Sequence, residues 1–170
     1  MDIAAIKRQL VKFKGARNNL LLVVAFTIIN LFLTAFETGY YFLFSAAVPQ
    51  AFFEIGQGLA DDYQNNAFLI TGAILAFIGI AIYLVCWSLS KRYRVFILVA
   101  LILFSIDTLL CLFFVFGGEF NPFYLLDVAC HIWVLYYLIT GTIAWAKLRG
   151  VNHEDLNNAM NAIANKPNGV

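Results

Sequence analysis

Four long apolar stretches constrain this 170-residue chain more than any other feature. A helix needs roughly 20 mostly apolar residues to cross the hydrocarbon core of a bilayer. Residues of about 19–36, 67–89, 95–116 and 123–146 meet that requirement and take up most of the chain. Backbone N–H and C=O groups in lipid must find partners inside the protein, so apolar runs of this length fold as helices. The predicted fold is an all-α integral membrane protein, a bundle of four transmembrane helices. Composition agrees, with 62% of residues hydrophobic and only 12% charged, well outside the range of soluble domains.

The basic residues set an orientation, because Lys and Arg accumulate on the cytoplasmic side of a membrane. Lys7, Arg8, Lys12, Lys14 and Arg17 precede the first span; Lys91, Arg92 and Arg94 join the second to the third; Lys147, Arg149 and Lys166 follow the fourth. The other connections, 37–66 and 117–122, have no basic residue and carry Glu37, Glu54, Asp61, Asp62 and Glu119. Both termini are therefore expected in the cytoplasm, in a multi-pass protein of the cell membrane. The charged lead-in before the first apolar run, with no small-x-small site after it, argues for a retained span rather than a cleaved signal peptide.

Three parts follow from this reading: a basic amphipathic segment at 1–18, the membrane domain at 19–146 and a short cytoplasmic amphipathic tail at 147–170. Ile3, Ile6, Leu10 and Phe13 recur at helical spacing among the lysines, which suits a helix on an anionic membrane surface. In the tail, Asn152 is placed to cap a helix with Leu156, Met160 and Ile163 on one stripe, ended by Pro167 and Gly169. The long outer connection 37–66 is itself largely apolar. Pro49 suits a first helical turn, and an interfacial helix lying like a lid over the outer mouth is expected there. The connections SLSKRYR and GGEFNPF are tight, so spans two, three and four are antiparallel neighbours.

Polar residues inside the spans carry the functional argument. Asp127 and His131 are four residues apart and share one helical face, as do Asp107 and Cys111; Thr27, Asn30, Thr34 and Glu37 form a stripe on the first span. At 1.5 Å per residue, His131 lies about 12 Å in from Phe123, Asp107 about 15 Å in from Gly117 and Asn30 about 10 Å in from Glu37. These levels agree within one turn, with Asp127, Cys111 and Thr34 in a shallower layer and Glu37 at the rim. An Asp facing lipid at a helix centre costs about 2.5–3.5 kcal/mol on insertion scales, so the polar edges are expected to converge in a cavity reached from outside. Span two contributes packing instead: Gly72, Ala76, Gly79, Tyr83 and Cys86 put small or adaptable residues on one face, and Thr71 is its one candidate for the polar layer.

The candidate ligand-binding residues are thus Asn30, Thr34, Glu37, Asp107, Asp127 and His131, and no catalytic residue is assigned. Three readings compete. In the first, the site binds a small polar or cationic ligand from the outer side, as in a transport-accessory or sensor protein; the acidic outer connections favour a cation. In the second, Asp107, Asp127 and His131 hold a divalent metal that activates water, making a membrane-embedded hydrolase. In the third, the polar cluster only sets helix register in a structural or interaction protein. A parallel homo-oligomer is compatible with the one-sided charge, and the bilayer itself is the certain partner. With His131 as the one histidine inside a span, a bis-histidine haem within one chain is excluded. Serine-hydrolase and zinc-protease motifs are missing, as are dinucleotide and phosphate loops and any basic nucleic-acid surface. Cys86, Cys111 and Cys130 show no metal or redox spacing and read as packing residues.

Overall fold

The computed structural model describes residues 1–38, 45–117 and 122–164. Those residues form six helices: α1 (Ile3–Ala35), α2 (Ala47–Tyr63), α3 (Asn66–Leu89), α4 (Phe96–Gly117), α5 (Pro122–Leu148) and α6 (His153–Ala164). The chain is all-helical, and α1, α3, α4 and most of α5 are long and apolar enough to cross a membrane. Short α2 stands between the first and second spans. Residues 118–121, where a tight connection with Glu119 is expected, and the end of the tail, with Lys166, Pro167 and Gly169, lie outside the described residues.

Helix α1 opens with Asp2, whose Oδ1 accepts the Ala5 N–H at 2.6 Å, the usual way of satisfying an unpaired donor in a first turn. Its 33 residues span about 50 Å at 1.5 Å each, against a hydrocarbon core of about 30 Å. The basic segment and the first span are therefore one continuous helix with its first half beyond the core. Ile6 there packs with Leu148, Leu156 and Ala159. Ile6 and Leu10 of the N-terminal segment and Leu156 of α6 thus share one apolar cluster, while Ile3 and Met160 remain exposed.

The described basic residues gather at one end of the bundle. Arg17 donates from Nε to Ser90 Oγ at 2.9 Å and from its guanidinium to the Trp87 carbonyl at 3.3 Å, while its charge sits 5.6 Å from the Trp87 ring centroid. This joins α1 to the closing turn of α3, where unpaired carbonyls favour a cation. The contact of Leu148 with Ile6, about 16 Å from Arg17 along α1, brings the end of α5 to the same end of the bundle.

Between the spans the core is ordinary close packing. Leu20, Val23, Ile97, Phe104, Val134 and Leu138 are almost completely buried, whereas Ile74, Phe77, Ile78 and Val85 of α3 lie on the outward face expected to meet lipid. On its other face α3 buries Gly72, Ala76, Ile80, Tyr83 and Cys86, the small-residue edge read from the sequence but with Ile80 in place of the half-buried Gly79. Thr71 is exposed and its hydroxyl donates back to the Ala67 carbonyl of its own helix, at 2.8 Å.

The occupant of that small-residue edge is α2, and this corrects the expectation of a helix lying across an outer mouth. Helix α2 runs back along α3 in the most extensive helix pairing of the fold. Gln64, left-handed at φ 50°, turns the chain between them, and Asn65 caps α3 through its side chain, accepting the Ala67 N–H at 3.0 Å. Along the pair Gly56 faces Gly72 and Pro49 faces Gly79. Gly79 lies 13 residues into α3, so α2 begins about 20 Å from the turn. Its first turn is deep in the bundle.

Gly56 and Gly72 allow that approach. A Cβ at Gly56 would stand 2.8 Å from Gly72 Cα, and one at Gly72 would stand 2.6 Å from the Phe52 carbonyl oxygen. Backbone cannot yield as a flexible side chain can. Gly56→Ala is expected to cost about 1–3 kcal/mol by forcing the helices apart. Gly58, with nothing within 4 Å of an added Cβ, is the control: Gly58→Ala should be neutral or stabilise by up to about 1 kcal/mol through helix propensity. Thermal unfolding in detergent checks both, and equal midpoints would show that the glycine contact does not hold α2 in place.

Candidate functional site

A helix that begins inside a bundle must find partners for its first backbone N–H groups, since water is not there to serve them. The sequence around α2, SAAVPQ, gives it no capping side chain of its own at Ala46. Neighbouring helices supply the acceptors. Thr27 Oγ1 on α1 accepts the Ala46 N–H at 2.8 Å, while its own hydroxyl donates to the Val23 carbonyl at 2.7 Å. Asp107 on α4 accepts the next two, Ala47 at Oδ2 (2.9 Å) and Val48 at Oδ1 (2.8 Å). Pro49 has no N–H to satisfy. A carboxylate on the positive end of a helix dipole is also favoured electrostatically.

Asp107 is fully buried and has a third partner, His131 on α5, whose Nε2 lies 3.3 Å from Oδ2. The other ring nitrogen, Nδ1, is 2.9 Å from the Asp127 carbonyl oxygen. A carbonyl only accepts, so Nδ1 carries a hydrogen. Phe104 stacks on the imidazole at 5.2 Å between centroids and 17° between planes. The ring is held at both nitrogens and across one face.

Beside this clamp lies a second group. Asp127 Oδ1 is 3.7 Å from His131 Nδ1, and the Cys111 thiol is 3.9 Å from Asp127 Oδ2. One ligand atom from each of Cys111, Asp127 and His131 falls within 4.8 Å of the others. Cys86, Cys111 and Cys130 are all buried thiols.

Of the residues singled out from sequence, Asp107, Asp127 and His131 come together as expected. Asn30 is fully buried, one turn along α1 from Thr27. Thr34 belongs to a separate group in which Gln50 Nε2 donates to Thr34 Oγ1 and to Glu54 Oε1, each at 2.7 Å. Glu37 is exposed past the end of α1, with φ 51°. Where a ligand cavity was expected against Asp107, the first turn of α2 stands instead. Thr27, Cys111 and Gln50 were not among the candidates.

Fold and site together define a four-span membrane protein with a buried Asp107/His131/Cys111 polar cluster. No protein family, curated protein or solved structure matches the chain.

Asp107→Asn keeps the shape but turns one acceptor into an N–H₂ donor facing other donors. It should lower stability by about 1–3 kcal/mol, the cost of stranding a buried polar group, and by more than Thr27→Val, which strands one N–H. Thermal unfolding of the two variants in detergent tests this, and an unchanged midpoint for Asp107→Asn would remove the carboxylate from its capping role.

Proposed function

We propose that this protein binds a small divalent cation within the membrane, with Cys111, Asp127 and His131 as ligands. One observation carries the reading, the convergence of a thiol, a carboxylate and an imidazole from α4 and α5 within 4.8 Å. A mixed sulfur, oxygen and nitrogen set suits zinc or a similar borderline ion, and three protein ligands leave a fourth position for solvent or substrate.

The surroundings of His131 support the same assignment. Coordination through Nδ1 exchanges its bond to the Asp127 carbonyl for the metal and leaves Nε2–H to donate to Asp107. A carboxylate behind a ligating histidine fixes the tautomer and raises ligand basicity. Asp107 then orients the site rather than ligating, a change from the Asp107, Asp127 and His131 set drawn from sequence. If the basic end of the bundle is cytoplasmic, both termini lie there and the cluster sits nearer the acidic connections than the basic ones.

A second reading, in which the cluster only anchors α2, is favoured by the three partners that Asp107 already has. Metal binding separates the two. Cobalt(II) added to the purified protein should give a thiolate charge-transfer band at one ion per chain. Cys111→Ser should abolish the band and weaken binding at least about tenfold, while Asp107→Asn, a change behind the ligand, should weaken it about 10–100-fold and leave the band in place. If the wild-type protein takes up neither cobalt nor zinc, the anchor reading stands.

A further inference from the structure

An apolar groove of about 180 Å³ opens between α1, α2 and α3, lined by Ile28, Leu31, Phe32, Ala35, Phe53 and Phe77. It is smaller than the roughly 300–1,000 Å³ of a typical small-molecule site, a size that suits one chain rather than a ring system. Leu31 and Phe53 form its floor, while Phe32 and Phe77, 56% and 57% exposed, stand on the surface of the spans. The groove is thus continuous with the face that meets lipid. From Ile28 to Ala35 it follows α1 for about 10 Å, running from the level of Thr27 to the end of the helix farthest from the basic residues.

That far end is acidic. Glu37 lies two residues beyond Ala35, and Glu54 follows Phe53 directly; both are exposed. Gln50 Nε2 holds Glu54 Oε1 at 2.7 Å, so this carboxylate is positioned at the rim. The Glu54 carboxylate accepts only, so the Gln50 amide must turn its N–H₂ toward it, and Gln50 Oε1 is a buried acceptor with no hydrogen-bond partner among the described residues. No Lys or Arg occurs between Asn18 and Ser90, the stretch that supplies the groove and its rim. The rim therefore opposes an anionic head and favours one that brings hydrogen-bond donors and positive charge.

We propose that this groove seats one acyl chain of a bilayer phospholipid with a primary-ammonium headgroup, the chain against Leu31 and Phe53 and the ammonium at Glu37 and Glu54. The seat is separate from the proposed metal ligands and does not depend on them. A primary ammonium donates N–H bonds to carboxylates, a trimethylammonium donates none, and a glycerol phosphate head is repelled.

Native mass spectrometry of the full-length protein, exchanged against vesicles of phosphatidylethanolamine, phosphatidylcholine or phosphatidylglycerol with identical chains, tests the assignment. Phosphatidylethanolamine should be retained about tenfold over phosphatidylglycerol, as one charge-assisted hydrogen bond allows, with phosphatidylcholine between. Glu37→Gln combined with Glu54→Gln should remove the preference while a lipid stays bound. Ala35→Trp, which fills the groove from an exposed position, should remove the bound lipid whatever its head. Equal retention of the three lipids would overturn the headgroup assignment, and retention unchanged by Ala35→Trp would overturn the groove.

Discussion

The arrangement depends on one carboxylate meeting one helix start. Asp107 accepts the Ala47 and Val48 N–H groups at a depth where an orphaned backbone donor costs several kcal/mol. Irregular backbone and helix ends are tolerated at such depth only when protein covers them. Once Asp107 and Thr27 cover the start of α2, the helix can run outward along α3, and the glycine pair of Gly56 and Gly72 fixes its register. The same carboxylate then holds His131, so α1, α2, α4 and α5 meet at a single buried point.

The spans were legible because apolar length in lipid leaves the backbone no alternative to a helix. The small-residue face of α3 was legible too, since Gly72, Ala76 and Gly79 make sense only if something packs close. What packs there was not. Phe52, Phe53 and Leu59 fit a helix lying on the bilayer as well as one buried in the bundle, and the choice rests on Gly56 meeting Gly72 and on Asp107 meeting Ala47. Those are contacts between residues distant in sequence, which helical periodicity does not encode. Matched depth did bring Asp107 to His131. It did not show that the shared level was already claimed by the backbone of α2.

The Asp127 and His131 pair illustrates the same limit at short range. Spacing of four puts both side chains on one face of α5, and a carboxylate–imidazole contact was the natural reading. The closer contact is instead His131 Nδ1 to the Asp127 carbonyl oxygen at 2.9 Å, against 3.7 Å to the carboxylate. This leaves the Asp127 carboxylate turned toward Cys111 and makes the thiol part of the cluster. The two readings of the site agree on Nε2, held by Asp107, and differ on whether Nδ1 keeps the Asp127 carbonyl or gives it up for a metal ion.

A buried charge often contributes little to stability in soluble proteins, where apolar residues of similar volume replace an ion pair at no cost or with a gain. The position of Asp107 reverses that comparison. An apolar residue there would spare one desolvated carboxylate but leave the Ala47 and Val48 N–H groups unpaired. The donors are set by α2 starting where it does, and α2 starts there because Pro49, facing Gly79, and the small-residue edge of α3 draw it down. The charge is therefore required by the backbone of α2 itself. The requirement is for two acceptor oxygens at one place, and among side chains only a carboxylate presents both without adding a donor.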